Sequence, residues 1–143
     1  MGNTFQLGVR KVKTYDIVDL DGNILGQFSF NPSDTNLKQR YKEVSKELND
    51  ISSLMEKKKQ DNPDFDELDI YDSIVYEKIN YLLAADVAKH FFSIMGPFSL
   101  LEDGGFFFES VLSGLGNLIM EEMEKRKSKT EEKIKKHTEK YRA

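Results

Sequence analysis

Two histidines, His90 and His137, are the chain's only imidazoles, and neither has a partner at the HExxH spacing or in another metal-ligand arrangement. His90 precedes Phe91-Phe92 at the end of an apolar stripe, and His137 sits in a charged tail. Asp19-Leu20-Asp21-Gly22-Asn23 has the look of a calcium loop, but such a loop closes with a bidentate glutamate at its twelfth position. Counted from Asp19, that position is Phe30. The segment reads better as a tight turn between strands, where Asp-Gly is a strong hairpin signal. Asp61, Asp64, Asp66, Glu67 and Asp69 cluster around Pro63. They could hold a divalent cation or meet a basic partner, but they read better as a solvated loop leading into a helix start favoured by the helix dipole. Gly104-Gly105 and Gly114-Leu115-Gly116 match neither a P-loop nor a dinucleotide fingerprint. No nucleophile–base pairing stands out. The reading is therefore no catalytic residue, no metal site, no cofactor and no small-molecule substrate.

Composition narrows the classes further. Cysteine is absent, which excludes disulfides, thiolate zinc sites, iron–sulfur clusters and a cysteine nucleophile. A formal charge of −4 argues against general nucleic-acid binding. The local exception is 125–143, with nine Lys or Arg against three Glu. Glu121, Glu122 and Glu124 precede it, Glu131 is placed to pair with Lys135, and apart from Tyr141 near the end no aromatic residue interleaves to stack bases. A solvated helix is the expectation, and a DNA-binding regulator the competing one. Residues 1–13 lack the apolar core of a signal peptide, and 106–120 is too short and too interrupted to cross a bilayer. At 143 residues the chain is expected to be a single domain.

These groups sit on elements that the pattern predicts. Residues 14–20 and 24–30 read as two strands of a hairpin around Asp21-Gly22-Asn23, with 5–10 as a third strand. Asn31-Pro32-Ser33-Asp34 stops the sheet and opens a helix, with Ser33 or Asp34 as its cap. Leu37, Tyr41, Val44, Leu48, Ile51 and Met55 recur at helical spacing, predicting a helix to about Lys58. Lys38, Arg40, Lys42, Glu43, Lys46 and Glu47 form its solvated side. After the break around Pro63, a second stripe runs through Tyr71, Val75, Ile79, Leu82 or Leu83, Val87, Phe91 and Ile94. It is long enough for two helices jointed at Ala84-Ala85-Asp86. Gly96-Pro97 ends it, residues 98–105 read as a loop, and Phe107, Val111, Leu115, Leu118 and Ile119 open a last helix. The fold class is α+β: a hairpin region over 1–30, three or four helices over 34–123, and a charged helical tail over 124–143.

Six of the ten phenylalanines fall at Phe91, Phe92, Phe98, Phe106, Phe107 and Phe108. Three consecutive rings on a helix point about 100° apart and cannot share one narrow core. Either the region is sandwiched between elements, or part of it stays exposed as a binding surface. In so polar a chain, these residues with the stripe of Leu37, Tyr41, Val44 and Leu48 are the candidate partner-binding surface, for self-association or for another helical chain.

The same residues carry a family resemblance. Phe30-Asn31-Pro32-Ser33-Asp34 leading into Lys38-Gln39-Arg40-Tyr41 resembles the strand-to-helix junction of short tail assembly chaperones from siphophages and related prophages. Pro97-Phe98-Ser99 followed by Phe107-Phe108-Glu109 is similar as well, as is Lys136-His137-Thr138-Glu139-Lys140-Tyr141. The likeness spans nearly the whole chain in matching order. One departure is Leu83-Ala84-Ala85-Asp86, where relatives carry a glycine-containing turn and alanines favour continuous helix. The resemblance implies a non-enzymatic chaperone that binds the long helical tape measure protein and keeps it soluble until tail tube protein polymerises around it. It implies action in the host cytoplasm and absence from the mature virion. A structural tail or head–tail joining protein is the alternative.

Overall fold

The computed structural model describes residues 2–8 and 12–140. An antiparallel hairpin, β1 (Lys13–Val18) and β2 (Ile24–Phe30), leads into four helices. These are α1 (Thr35–Asp61), α2 (Asp72–Leu83), α3 (Ala88–Phe91) and α4 (Phe107–Lys140), with a 3-10 turn at Glu67–Tyr71 before α2. The architecture is α+β with a long C-terminal helix, as the pattern predicts.

Asp19 builds the hairpin turn. One carboxylate oxygen accepts the backbone N–H groups of Asp21 and Asn23 at 2.9 Å each, and the other accepts the Asn23 side-chain amide at 3.0 Å. Those bonds, the Asn23 side chain first, hold its carboxyl below the ordinary carboxylate range. Gly22 takes the positive φ of 83° that the turn requires. Residues 5–8 pair in no strand, so the expected third strand is not formed; Val9 and Arg10 lie outside the described residues. Phe5 and Leu7 find no apolar cover and stand exposed.

Asp34 caps α1 by accepting the Asn36 N–H at 2.9 Å. The helix runs one turn past Lys58, and Pro63 prevents further extension. From the predicted stripes, Val44, Leu48 and Met55 of α1 and Val75, Ile79 and Leu82 of α2 are fully buried. Each such side chain contributes about 1.5–3 kcal/mol over exposure. Polar contacts fix the same pair of helices. Arg40 Nε donates to the Leu82 carbonyl at 3.1 Å, the Tyr81 hydroxyl donates to Glu43 at 2.9 Å, and Lys78 pairs with Glu47.

The joint between α2 and α3 falls at the three residues expected, although two of them are alanines. Ala84 ends α2 in the left-handed conformation at φ 54°, its N–H and that of Ala85 bonding back to Tyr81 and Asn80 carbonyls. Asn80 Oδ1 then accepts the N–H groups of Val87 and Ala88 at 2.8 and 2.7 Å. One asparagine side chain thus satisfies the start of α3. The second stripe stops at Phe91: Ile94, expected on it, falls beyond the end of α3 and is 57% exposed.

The six phenylalanines resolve into the sandwiched arrangement. Phe106 precedes α4 and bridges to Leu100, while Glu109 reaches back to accept the Phe106 N–H at 3.0 Å, closing one half of a capping box. Phe98, Phe106 and Phe108 pack mutually at centroid separations of 5.2 to 5.9 Å. Phe107 turns to Phe92, which meets Tyr76, and Phe91 meets Phe28 of β2. Each consecutive ring therefore has its own neighbours.

The hairpin is tied to α4 by an ion pair under partial cover. Lys13 Nζ lies 2.6 Å from Glu122, whose side chain is 7% exposed, and Lys125 approaches the same carboxylate at 3.4 Å. The lysine bonds, Lys13 first, hold Glu122 below its ordinary pKa of 4.5. Tyr15 lies beside it; burial first and the Glu122 charge second push its hydroxyl pKa up. The expected Glu131–Lys135 pair on the tail is not formed; both side chains are exposed, where such a pair contributes little.

Two outcomes are expected. Ala84→Gly relieves a left-handed alanine and stabilises by roughly 0.5–1 kcal/mol in urea unfolding; a loss of stability would contradict the joint. Because the Glu122 pKa is depressed in the folded chain, its contribution is complete above the ordinary carboxylate value and lost as pH falls through the folded one. The melting temperature of Glu122→Gln should therefore lie below wild type at neutral pH and converge with it on acidification. Parallel curves would show that the pair does not couple to folding.

Candidate partner-binding surface

The surface question turns on what the phenylalanines leave free. Of the ten residues expected to meet a partner, Leu37, Val44, Leu48, Phe92, Phe98, Phe106 and Phe108 are buried, at 6% exposure or less. Phe91 and Phe107 are half-buried against the same core. Expected as surface, these rings and aliphatic groups are corrected: seven belong to the buried core cluster, and Phe91 and Phe107 pack against it. Tyr41 differs. Its ring is half-buried and lies where α1 crosses α4.

That crossing depends on Gly116. A Cβ built there would overlap the Tyr41 hydroxyl and ring, so the missing side chain lets the aromatic ring lie directly on the α4 backbone. The helices run antiparallel, with Arg126 Nη1 of α4 donating to Ser33 Oγ, just ahead of α1, at 2.8 Å. Between the Gly116 contact and this bond the two helices leave a groove of about 350 Å³. Ile119, 1% exposed, forms its floor. Met120, 61% exposed, and the half-buried Met123 line it from α4, with Tyr41 opposite. Lys38 and Lys42 border it on α1, and Glu124 and Lys127 on α4. Thioether side chains are flexible and polarizable, so such a wall adapts to the shape of an inserted apolar group.

The sequence placed Lys38 and Lys42 on a solvated face and stopped the apolar pattern at Met123, so the groove was missed. Its one early signal is Gly116 inside a helical pattern, since an interior helical glycine can have a packing reason, although Gly114 beside it, with open space around it, gives the same signal without a contact.

The other candidate chemistry is spread out. His90 is half-buried, its ring packed over Gly26 of β2, where any Cβ would collide with it. Asp61, Asp64, Asp66, Glu67 and Asp69 are exposed along the end of α1 and the following turn. Asp72 nearby has its pKa raised, by burial first and by Asp69 second. Among the described residues no group of three or more His, Asp or Glu side chains is placed to hold a metal ion. None of their helices is long and apolar enough to cross a membrane. Residues 127–139 of α4 are exposed throughout, so the basic tail is a helix standing in solvent; Tyr141 lies outside the described residues.

The two helical glycines give a paired test. Gly114 has open space around it, so Gly114→Ala should stabilise by about 0.5–1 kcal/mol through helix propensity alone. Gly116→Ala gains the same propensity but overpacks against Tyr41, at a cost of about 1–3 kcal/mol, and should be net destabilising in urea unfolding. Equal effects of the two would mean that α1 and α4 do not meet as described.

No protein-family model, curated protein or solved structure matches this chain.

Proposed function

We propose that this chain is a tail assembly chaperone of a tailed bacteriophage, acting by binding and not by catalysis. Its partner is the tape measure protein, whose long helical chain it keeps soluble until tail tube protein assembles around it. The chaperone then leaves, remaining in the host cytoplasm and absent from the finished virion.

Two things support the reading. One is the resemblance carried by Phe30-Asn31-Pro32-Ser33-Asp34, Pro97-Phe98-Ser99 and Phe107-Phe108-Glu109. The other, which carries it in physical terms, is the groove between α1 and α4: apolar floor, methionine wall, charged borders. Its walls are helices with satisfied backbones, so they offer side chains and not a strand edge, which is how an amphipathic helix is received. A tape measure segment presents that kind of apolar stripe. Without cover it aggregates, and a bound acidic chaperone adds solubility.

Co-expression tests the proposal. The tape measure protein made alone should sediment, and made with this chain it should stay soluble and co-purify with it. Mass spectrometry of purified virions should detect tail tube and tape measure protein without this chain. A tape measure protein equally soluble with and without it contradicts the function, and its presence in virions would favour a structural tail or head–tail joining role.

A further inference from the structure

We infer that the α1/α4 groove selects an amphipathic helix whose apolar stripe is bordered by aspartate and glutamate. The inference deepens the function proposed above and rests on it for the identity of the helix's owner.

The argument begins with cations left over. Lys13, Arg40, Lys78, Lys89 and Lys125 each have an acidic partner within 4.0 Å. Lys38, Lys42 and Lys127 have none among the described residues, and all three border the groove. Glu124 is the one acid lining it. In a chain of net charge −4, the mouth of this groove is therefore locally positive. Lys38 and Lys42 are four residues apart on one face of α1, so the like charges sit side by side and repel until an anion separates them.

Spacing defines the occupant further. Met120, Met123 and Lys127 follow one another at intervals of three and four along α4, and on α1 Lys38 stands three residues before Tyr41 and four before Lys42, so both banks present a row along the groove. A helix laid between the rows would place apolar side chains on Ile119 and the two thioethers. Its flanking positions would then face lysines on either bank. Such an arrangement uses apolar burial for affinity and the rim charges for register and for rejecting basic helices.

The test uses the full chain and two fluorescent helical peptides with the same leucine stripe, one flanked by glutamates and one by lysines. Anisotropy should show the glutamate peptide binding about tenfold or more tightly than the lysine peptide, with a preference that fades as salt rises. Lys38→Glu, Lys42→Glu and Lys127→Glu together should reverse the preference. Met120→Glu, at a position already 61% exposed, should weaken the glutamate peptide about tenfold or more while leaving the circular dichroism melt unchanged. Equal binding of both peptides, binding of neither, or indifference to the triple lysine change would overturn the inference. So would a concentration-dependent dimer that Met120→Glu dissolves, since a second copy would then occupy the groove, or tight binding of anionic vesicles abolished by the lysine changes. A tape measure protein kept soluble by both wild type and the triple variant removes the groove and leaves the function. If wild type fails to keep it soluble while the peptide preference holds, the function is removed and the groove stays.

Discussion

The fold depends on the interlocking of aromatic rings from Phe91 at the end of α3 to Phe108 at the start of α4. Phe98, Phe106 and Phe108 pack on one another, Phe92 joins Tyr76 to Phe107, and Phe91 reaches Phe28 and so the hairpin. Pairs of this kind contribute about 0.5–1.5 kcal/mol beyond their burial. The chain before α4 is turned back by bonds from the Phe107 and Phe108 N–H groups to the Ser99 and Pro97 carbonyls, both at 2.8 Å. Those bonds hold three consecutive phenylalanines in position to face three different neighbours.

Spending the rings on the core decides where a partner can bind. A fully buried side chain offers nothing without opening the fold, and opening at Phe108 would expose the interior shared by α1, α2 and α4. Among the apolar groups that stay accessible, those of the groove between α1 and α4 line a concave site beside the Gly116 contact. Met120 stays 61% exposed there, and Lys38 and Lys42 have no acidic partner among the described residues, while Glu43 and Glu47 of the same helix bond to Tyr81 and Lys78 of α2. The same division of charge that ties α1 to α2 leaves the opposite bank positive.

Local signals made much of this legible in advance. The Asp-Gly turn, the Pro32 stop, the Asp34 cap and the spacing of Leu37, Val44, Leu48 and Met55 each state one preference, and the fold follows it. Other features depend on distant contacts. Ala84 in the left-handed region runs against alanine's helix propensity, and the bonds of Asn80 to Val87 and Ala88 override it. Ile94 fits the helical period but lies past the point where the chain turns toward Pro97. The phenylalanines matched the hydrophobic pattern of both a core and a surface, and nothing local separates the two. The groove, a product of one close helix crossing, had only Gly116 as a trace.

Central to the account is that a helical partner meets the α1/α4 groove while the packed rings stay closed. Methyl NMR of the methionines tests it directly, because Met120 and Met123 line the groove and Met55 is fully buried in the core. Titration with the glutamate-flanked helix should move the Met120 and Met123 methyl signals together and leave Met55 in place. A shift of Met55 with the groove methyls unmoved would contradict the account, since the partner would then be reaching the interior that the structure shows sealed.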